Sequence, residues 1–177
     1  MKEYILPKRM FYGWYIVASC VAVNFYITVV FGLGFNVFFL PILREFGWTR
    51  ALTSGAFAIR SLESGLVAPL IGFLVDRWGS KNVILSGVVL VGVGMVLMGF
   101  ITSLWTFYLA FLVASLGTSG AGHGVSWMVV VSKWFRRLRG RALGIATLGP
   151  VIGGPCLFTM AIMEDIFGWR AASVILG

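Results

Sequence analysis

Long apolar stretches separated by short polar segments make up almost the whole chain. A helix needs about 20 apolar residues to cross the hydrocarbon core of a bilayer. Five stretches are long enough: Tyr12–Leu40, Leu52–Val75, Val83–Ile101, Thr106–Val131 and Leu143–Met163. A sixth begins at Trp169, and its nine residues to Gly177 are too few to cross, so we expect the sequence to stop inside a sixth helix. The pattern predicts an all-α membrane protein.

Composition supports the membrane prediction and excludes several functions. Hydrophobic residues make up 59% of the chain and charged residues 11%, against roughly 25% charged in soluble domains. Cys20 and Cys156 lie inside apolar spans, which favours buried thiols over a disulfide or a metal pair. The single histidine and the absence of a His-Glu-x-x-His spacing argue against an enzyme, so we predict no catalytic residue, no metal and no cofactor.

The basic residues predict the orientation of the chain. The net charge is +8, but the basic residues sit in short loops between spans, so we do not expect nucleic-acid binding. Three lie on one side, at Arg44, Arg50 and Arg170. Ten lie on the other: Lys2, Lys8, Arg9, Arg77, Lys81, Lys133, Arg136, Arg137, Arg139 and Arg141. Cytoplasmic loops carry the excess of Lys and Arg. We therefore predict an integral protein of the plasma (inner) membrane with a cytoplasmic N-terminus.

The segment between the second and third spans carries a specific motif. It runs from Gly72 and reads Gly-Phe-Leu-Val-Asp-Arg-Trp-Gly-Ser-Lys-Asn. It resembles the signature Gly-x-x-x-Asp-Arg-x-Gly-x-Lys/Arg-Lys/Arg that follows the second helix of major facilitator superfamily transporters. The matching positions are Gly72, Asp76, Arg77, Gly79 and Lys81, whereas Asn82 stands where a second basic residue is usual.

The resemblance implies that this hairpin is a cytoplasmic gate. Asp76 is expected to meet a helix terminus and basic residues of the other half, with Arg77 and Lys81 in a small charge network. Gly72 and Gly79 are expected to permit close helix contact. A simple positive-inside turn is the alternative, and it explains Arg77 and Lys81 but neither the aspartate nor the glycine spacing.

Two further segments resemble the monocarboxylate and oxalate/formate exchanger branches of that superfamily. They are Tyr12-Gly13-Trp14 at the head of the first span and the aromatic and basic loop Lys133–Gly144. The resemblance implies that residues 1–177 form the N-terminal six-helix bundle of the major facilitator fold, truncated within the sixth helix, with the C-terminal half missing. It implies a secondary active transporter that moves a small solute, such as a mono- or dicarboxylate, by alternating access. The alternative is a stand-alone membrane module or accessory subunit without transport of its own.

Arg60 and Glu63 are charged residues inside the second span. Arg60 lies nine residues beyond Ala51, so about 14 Å deep at 1.5 Å per residue. Glu63 follows one turn later on nearly the same face, and we expect the two to pair. They are either a self-neutralising structural pair or a site where Arg60 holds a carboxylate and Glu63 exchanges a proton for symport or antiport.

Other polar or helix-breaking residues inside the spans are further candidates. His123, flanked by glycines, is a candidate for solute or proton contact, or else a neutral side chain bonded to a neighbouring helix. Asn24 and Tyr26 are milder candidates for the solute. In the fifth span, the segment Gly149-Pro150-Val151-Ile152-Gly153-Gly154-Pro155 resembles part of a motif of drug/proton antiporters, and we expect its glycines and prolines to bend the helix.

Overall fold

A computed structural model describes residues 12–121, 127, 130–131, 134–135 and 138–177. These residues form helices joined by short turns, and no strand occurs among them. The helices are α1 (Tyr12–Ile27), α2 (Gly34–Phe46), α3 (Arg50–Trp78), α4 (Ser80–Gly99), α5 (Leu104–Ala121), α6 (Arg139–Ala146), α7 (Leu148–Gly153) and α8 (Cys156–Leu176). Five helical stretches of this part are long and apolar enough to cross a membrane. The all-α prediction is confirmed.

The first span is longer than the sequence pattern predicts. Helix α1 continues through a π-helical segment, Thr28–Leu33, into α2, so the apolar stretch runs from Gly13 to Phe46 rather than ending at Leu40. Pro41 lies inside α2 and removes one backbone donor, but the helix continues past it. It ends at Gly47, whose φ of 65° is the left-handed conformation typical of a glycine after a helix.

A single glycine joins the second and third spans. Helix α3 ends at Trp78 and α4 begins at Ser80, with Gly79 between them at φ 81° and ψ 147°. Its N–H donates to the carbonyl oxygen of Val75 at 3.0 Å. A side chain would be strained at this φ, which explains the glycine in the motif.

Small residues bring the third and fourth spans into backbone contact. A methyl group added at Gly94 would lie 2.5 Å from the backbone nitrogen of Ala114, and one at Gly87 would lie 2.6 Å from that of Ala121. On the opposite helix, a methyl at Gly117 would lie 2.5 Å from the backbone nitrogen of Val91. Both helices are continuous through these residues. The glycines therefore act here as packing positions, as is usual between membrane helices.

The fifth span is not the single helix that the apolar run Leu143–Met163 predicts. It is divided into α6, α7 and the first part of α8, with breaks at Thr147 and at the Gly154–Pro155 pair. At the second break Gly154 donates its N–H to the carbonyl of Val151, three residues back, at 3.3 Å. Proline has no N–H to donate to the preceding turn, so the apolar pattern overestimated the continuity of this helix.

Helix α8 contains the end of the fifth span and the start of the sixth. Gly168 interrupts it at φ 75° and ψ 157°, and the helix resumes at Trp169, the residue at which the sequence predicts the sixth span to begin. This backbone conformation is close to that of Gly79. The same type of one-residue joint therefore occurs twice.

Candidate functional site

The carboxylate of Glu63 lies between the second and fourth spans and is held by two hydroxyl groups. Glu63 is only 9% exposed. One of its oxygens accepts a hydrogen bond from Ser115 Oγ, and the other accepts one from Ser119 Oγ at 3.1 Å. The two serines are four residues apart on α5, so they lie on one face and match the two carboxylate oxygens.

Arg60 does not form the predicted ion pair with Glu63. Among the residues that the structure describes, the one ion pair within 4.0 Å is between Glu45 and Arg170. The guanidinium carbon of Arg60 instead lies 4.8 Å from the ring centroid of Phe31 in the π-helical segment, within the range of a cation–π interaction. The ion pair that the spacing allows is not formed within 4.0 Å, and each charged group instead contacts a different neighbouring helix.

Phe31 is fixed in place by a cluster of aromatic side chains between the first, second and fourth spans. Its ring centroid lies 5.3 Å from that of Phe111, and Phe111 lies 4.8 Å from Phe35 in an edge-on contact. Phe57, on the turn of α3 before Arg60, packs edge-on against Phe35 at 5.1 Å. Edge-on and offset contacts of this kind are favourable for aromatic rings. The cluster therefore holds a rigid ring face beneath the arginine.

Asn24 lies in the first span with an unsatisfied carbonyl oxygen. It is 2% exposed, and its Nδ2 donates to the backbone oxygen of Cys20 at 3.0 Å. Its Oδ1 is buried and has no hydrogen-bond partner among the described residues. Asn24 lines a cavity of about 80 Å³ that also reaches Ala146 and Thr147 at the first break of the fifth span. A buried acceptor without a partner is costly, so this cavity suits a ligand or water that donates a hydrogen bond.

The remaining candidates within the spans are placed apart from this site or fall outside the described residues. Tyr26 lines a groove with Val88, Gly92 and Gly177 beside the third and sixth spans. His123 lies outside the described residues. Of the fifth-span glycines, Gly149 and Gly153 contact the first span: a methyl on Gly149 would lie 2.7 Å from the backbone oxygen of Val21.

The charged side chains of the hairpin between the second and third spans do not form ion pairs with one another. Within the part of the chain that the structure describes, Asp76, Arg77 and Lys81 have no opposite charge within 4.0 Å. Sequence reasoning missed one contact here, because Asn82 Nδ2 donates to the backbone oxygen of Trp78 across the glycine joint at 3.0 Å. A methyl added at Gly72 would meet no atom within 4 Å, so its surface is open to another helix.

A second cluster that sequence reasoning missed links the end of the first span to the start of the sixth. Glu45 accepts hydrogen bonds from Trp169 Nε1 and from Arg170 Nη2, both at 2.7 Å. The Arg170 guanidinium also lies 5.7 Å from the ring centroid of Phe46. A signal for it was present, because Phe-Gly-Trp followed by arginine occurs at both places in the sequence.

Comparison with known proteins agrees with this architecture. A family model described as Major Facilitator Superfamily matches residues 14–177. The chain is 27% identical over 168 residues to Monocarboxylate transporter 4 of Gallus gallus, covering 94% of this chain and 35% of that protein. It is 30% identical over 174 residues to Monocarboxylate transporter 12 of Xenopus laevis, covering 94% of this chain and 36% of that protein.

The chain thus spans about a third of the length of the curated relatives that it matches. These relatives are named as transporters, in agreement with the prediction that the chain is not an enzyme. The resemblance carried by the hairpin motif and by the monocarboxylate-type segments is confirmed. With almost all of its residues matched by the family model, this integral membrane protein belongs to the Major Facilitator Superfamily.

Proposed function

We propose that this chain is the N-terminal half of a secondary active transporter that moves a small carboxylate by alternating access. The observation that supports it most is Arg60, a cation inside the apolar span Ser54–Trp78 with no ion-pair partner within 4.0 Å among the described residues. A charge inside such a span costs several kcal/mol by insertion scales and usually faces a cavity or a pathway. A carboxylate solute provides the missing counter-charge.

The guanidinium group of Arg60 favours a carboxylate as the solute. A guanidinium presents several donors in a planar fork that fits a carboxylate, and its charge persists at every physiological pH. The neighbouring phenylalanine cluster leaves Phe57 partly exposed next to Arg60, which suits a small apolar group on the solute. The names of the relatives, monocarboxylate transporters, favour the same class.

The alternating-access mechanism assigns roles to the remaining candidates. Asp76, Arg77 and Lys81 form a cytoplasmic latch whose partners lie in the C-terminal half of the complete protein, in keeping with the lack of ion-pair partners for them among the described residues. The exposed apolar side chains of Leu62, Leu66 and Leu70 on α3 give that half a face to pack against. Solute binds near the midplane between the halves.

Energy for transport comes from a solute or ion gradient. Glu63 and His123 are the candidates for carrying a coupled proton, and Asn24 is a candidate acceptor for a donor group of the solute. Gly149, Pro150, Gly153, Gly154 and Pro155 supply the bend of the fifth span as the halves rock. The excess of Lys and Arg in the basic loops favours a cytoplasmic N-terminus in a plasma (inner) membrane.

The test is uptake of a labelled short-chain monocarboxylate by the complete protein in proteoliposomes, with and without a pH gradient. Loss of a charge-assisted hydrogen bond costs about 1.5–3 kcal/mol, so Arg60→Gln should lower kcat/KM by at least about tenfold. Arg44→Gln, a substitution of an arginine at the end of α2, should leave it unchanged.

Equal uptake by wild type and Arg60→Gln would remove Arg60 from the proposal. Uptake that does not respond to the pH gradient would remove the proton. If the complete protein moves no carboxylate at all, the chain fits better as an accessory membrane module.

A further inference from the structure

Arg60 and Glu63 are close enough in sequence to form an ion pair, yet no ion pair within 4.0 Å joins them. They are three residues apart on α3, a spacing at which opposite charges on a helix meet. Inside a membrane, with little water to screen the charges, such a pair would be strongly favoured. The described structure shows instead that both oxygens of Glu63 are taken by Ser115 and Ser119.

We propose that Ser115 and Ser119 are positioning residues that hold Glu63 away from Arg60 and so keep the arginine available for an anionic solute. This inference rests on the proposed function, in which Arg60 binds a carboxylate. The serines do not need to touch the solute. They act by removing the internal carboxylate that would compete with it.

Ser115 and Ser119 each donate one hydrogen bond to the Glu63 carboxylate. Ser115 is 1% exposed and bonds one oxygen of Glu63, while Ser119 bonds the other at 3.1 Å. Both oxygens are engaged from the α5 side, while the guanidinium of Arg60 lies over Phe31 of the first span. Two neutral donors stabilise the carboxylate without supplying a cation.

The proposal implies that Glu63 and the solute compete for Arg60, and this competition can be measured. Without the serine hydroxyls, Glu63 is expected to rotate toward Arg60 and form the ion pair that the spacing allows. If the unpaired state then falls to roughly one tenth of the population, the apparent affinity for solute falls about tenfold, because only the unpaired state binds. The maximal transport rate should change much less than KM.

The test compares carboxylate binding and uptake by four variants of the complete protein. Ser115→Ala/Ser119→Ala should raise KM about tenfold or more. Adding Glu63→Gln to that double variant should restore KM to the value of Glu63→Gln alone, because a neutral amide no longer competes for Arg60. Thr118→Ala is the matched control, since the Thr118 hydroxyl donates to the backbone oxygen of Ser115 at 2.7 Å on the same helix.

The outcomes separate this inference from the proposed function. If Arg60→Gln abolishes uptake but the double serine variant keeps the wild-type KM, the inference fails and the proposed function stands. If Glu63→Gln does not rescue the double variant, the serines act on the solute or on folding, and the inference again fails. If Arg60→Gln has no effect, Arg60 is not the solute-binding cation, and the inference falls together with that part of the proposed function. Thermal unfolding of every variant, with Ser119→Ala as the milder single change, shows whether the protein remains folded.

Discussion

The third and fifth spans are both rich in glycine, yet the structure uses this residue in opposite ways. In the third span, Gly87 and Gly94 lie inside one uninterrupted helix and touch the backbone of the fourth span. In the fifth span, glycines alternate with Pro150 and Pro155, and the helix is divided into shorter pieces.

The difference shows that the neighbours of a glycine decide its role. A glycine alone lets two helices approach closely while all backbone hydrogen bonds of the helix are kept. A glycine next to a proline adds freedom where a donor is already missing, so the helix breaks. The third and fourth spans therefore form the rigid part of the bundle, and the fifth span is its adaptable part. Even so, Gly149 makes a close contact with the first span, which shows that the broken helix is still packed.

The largest effect is expected for a methyl group in the rigid part. Gly94→Ala places a carbon 2.5 Å from the backbone nitrogen of Ala114, and neither helix can yield without disturbing its own hydrogen bonds. We expect a loss of about 1–3 kcal/mol or more in the free energy of unfolding, typical of overpacking. Thermal unfolding of the purified complete protein measures it.

Gly65→Ala is the matched control for that experiment. It lies in the continuous helix α3, and an added methyl would meet no atom within 4 Å. Since alanine is the better helix former by about 1 kcal/mol, this variant should be neutral or slightly stabilised. Equal destabilisation of both variants would mean that close packing is not what distinguishes the third span.

An intermediate effect is expected for Gly149→Ala in the adaptable part. The added methyl would lie 2.7 Å from the backbone oxygen of Val21, but the short helices α6 and α7 can shift to relieve it. We expect a loss of about 1 kcal/mol, at the lower end of overpacking. Gly154→Ala, whose methyl would come no closer than 3.4 Å to the oxygen of Val151, is the control. A loss as large as that of Gly94→Ala would show that the fifth span is equally rigid.

The smallest effect is expected at the cluster of Glu45, Trp169 and Arg170 that links the sixth span to the first. Glu45 and Arg170 are each about 40% exposed in their side chains, at 44% and 42%. An exposed ion pair contributes at most about 1 kcal/mol, so Arg170→Gln should lower the unfolding temperature only slightly and less so in high salt. Arg44→Gln should cause no shift. A shift with Arg170→Gln that is insensitive to salt would assign the effect to ring packing rather than to charge.

Much of the fold could be predicted from the sequence because the membrane imposes one strong rule. An apolar run of sufficient length must form a helix whose backbone bonds are internal, and this placed α3 and α4 within a few residues. The length of an apolar run does not indicate where such a helix breaks, so the fifth span was predicted to be continuous. It also ended the first span at Leu40, although Pro41 is tolerated within α2.

The candidate site was predictable in its residues but not in its contacts. Depth and charge pointed to Arg60 and Glu63, and the spacing suggested a pair. Whether an ion pair forms depends on the hydrogen-bond donors of the neighbouring helices. The sequence of the second span does not indicate that Glu63 meets Ser115, which lies 52 residues further along the chain. The cation–π contact of Arg60 likewise depends on a π-helical segment of the first span that periodicity does not reveal.

The glycine joints at Gly79 and Gly168 have a mechanical consequence. A single residue advances the chain by only about 3.8 Å, so the helices on either side cannot slide along their axes independently. By contrast, residues 47–49 connect the first span to the second, and residues 100–103 connect the third to the fourth. The superfamily builds each six-helix half from two inverted three-helix units, and the two joints fall at equivalent positions in them. In each unit, the two helices joined by one glycine are therefore coupled in translation, so that a shift of one along its axis must be accompanied by a movement of the other.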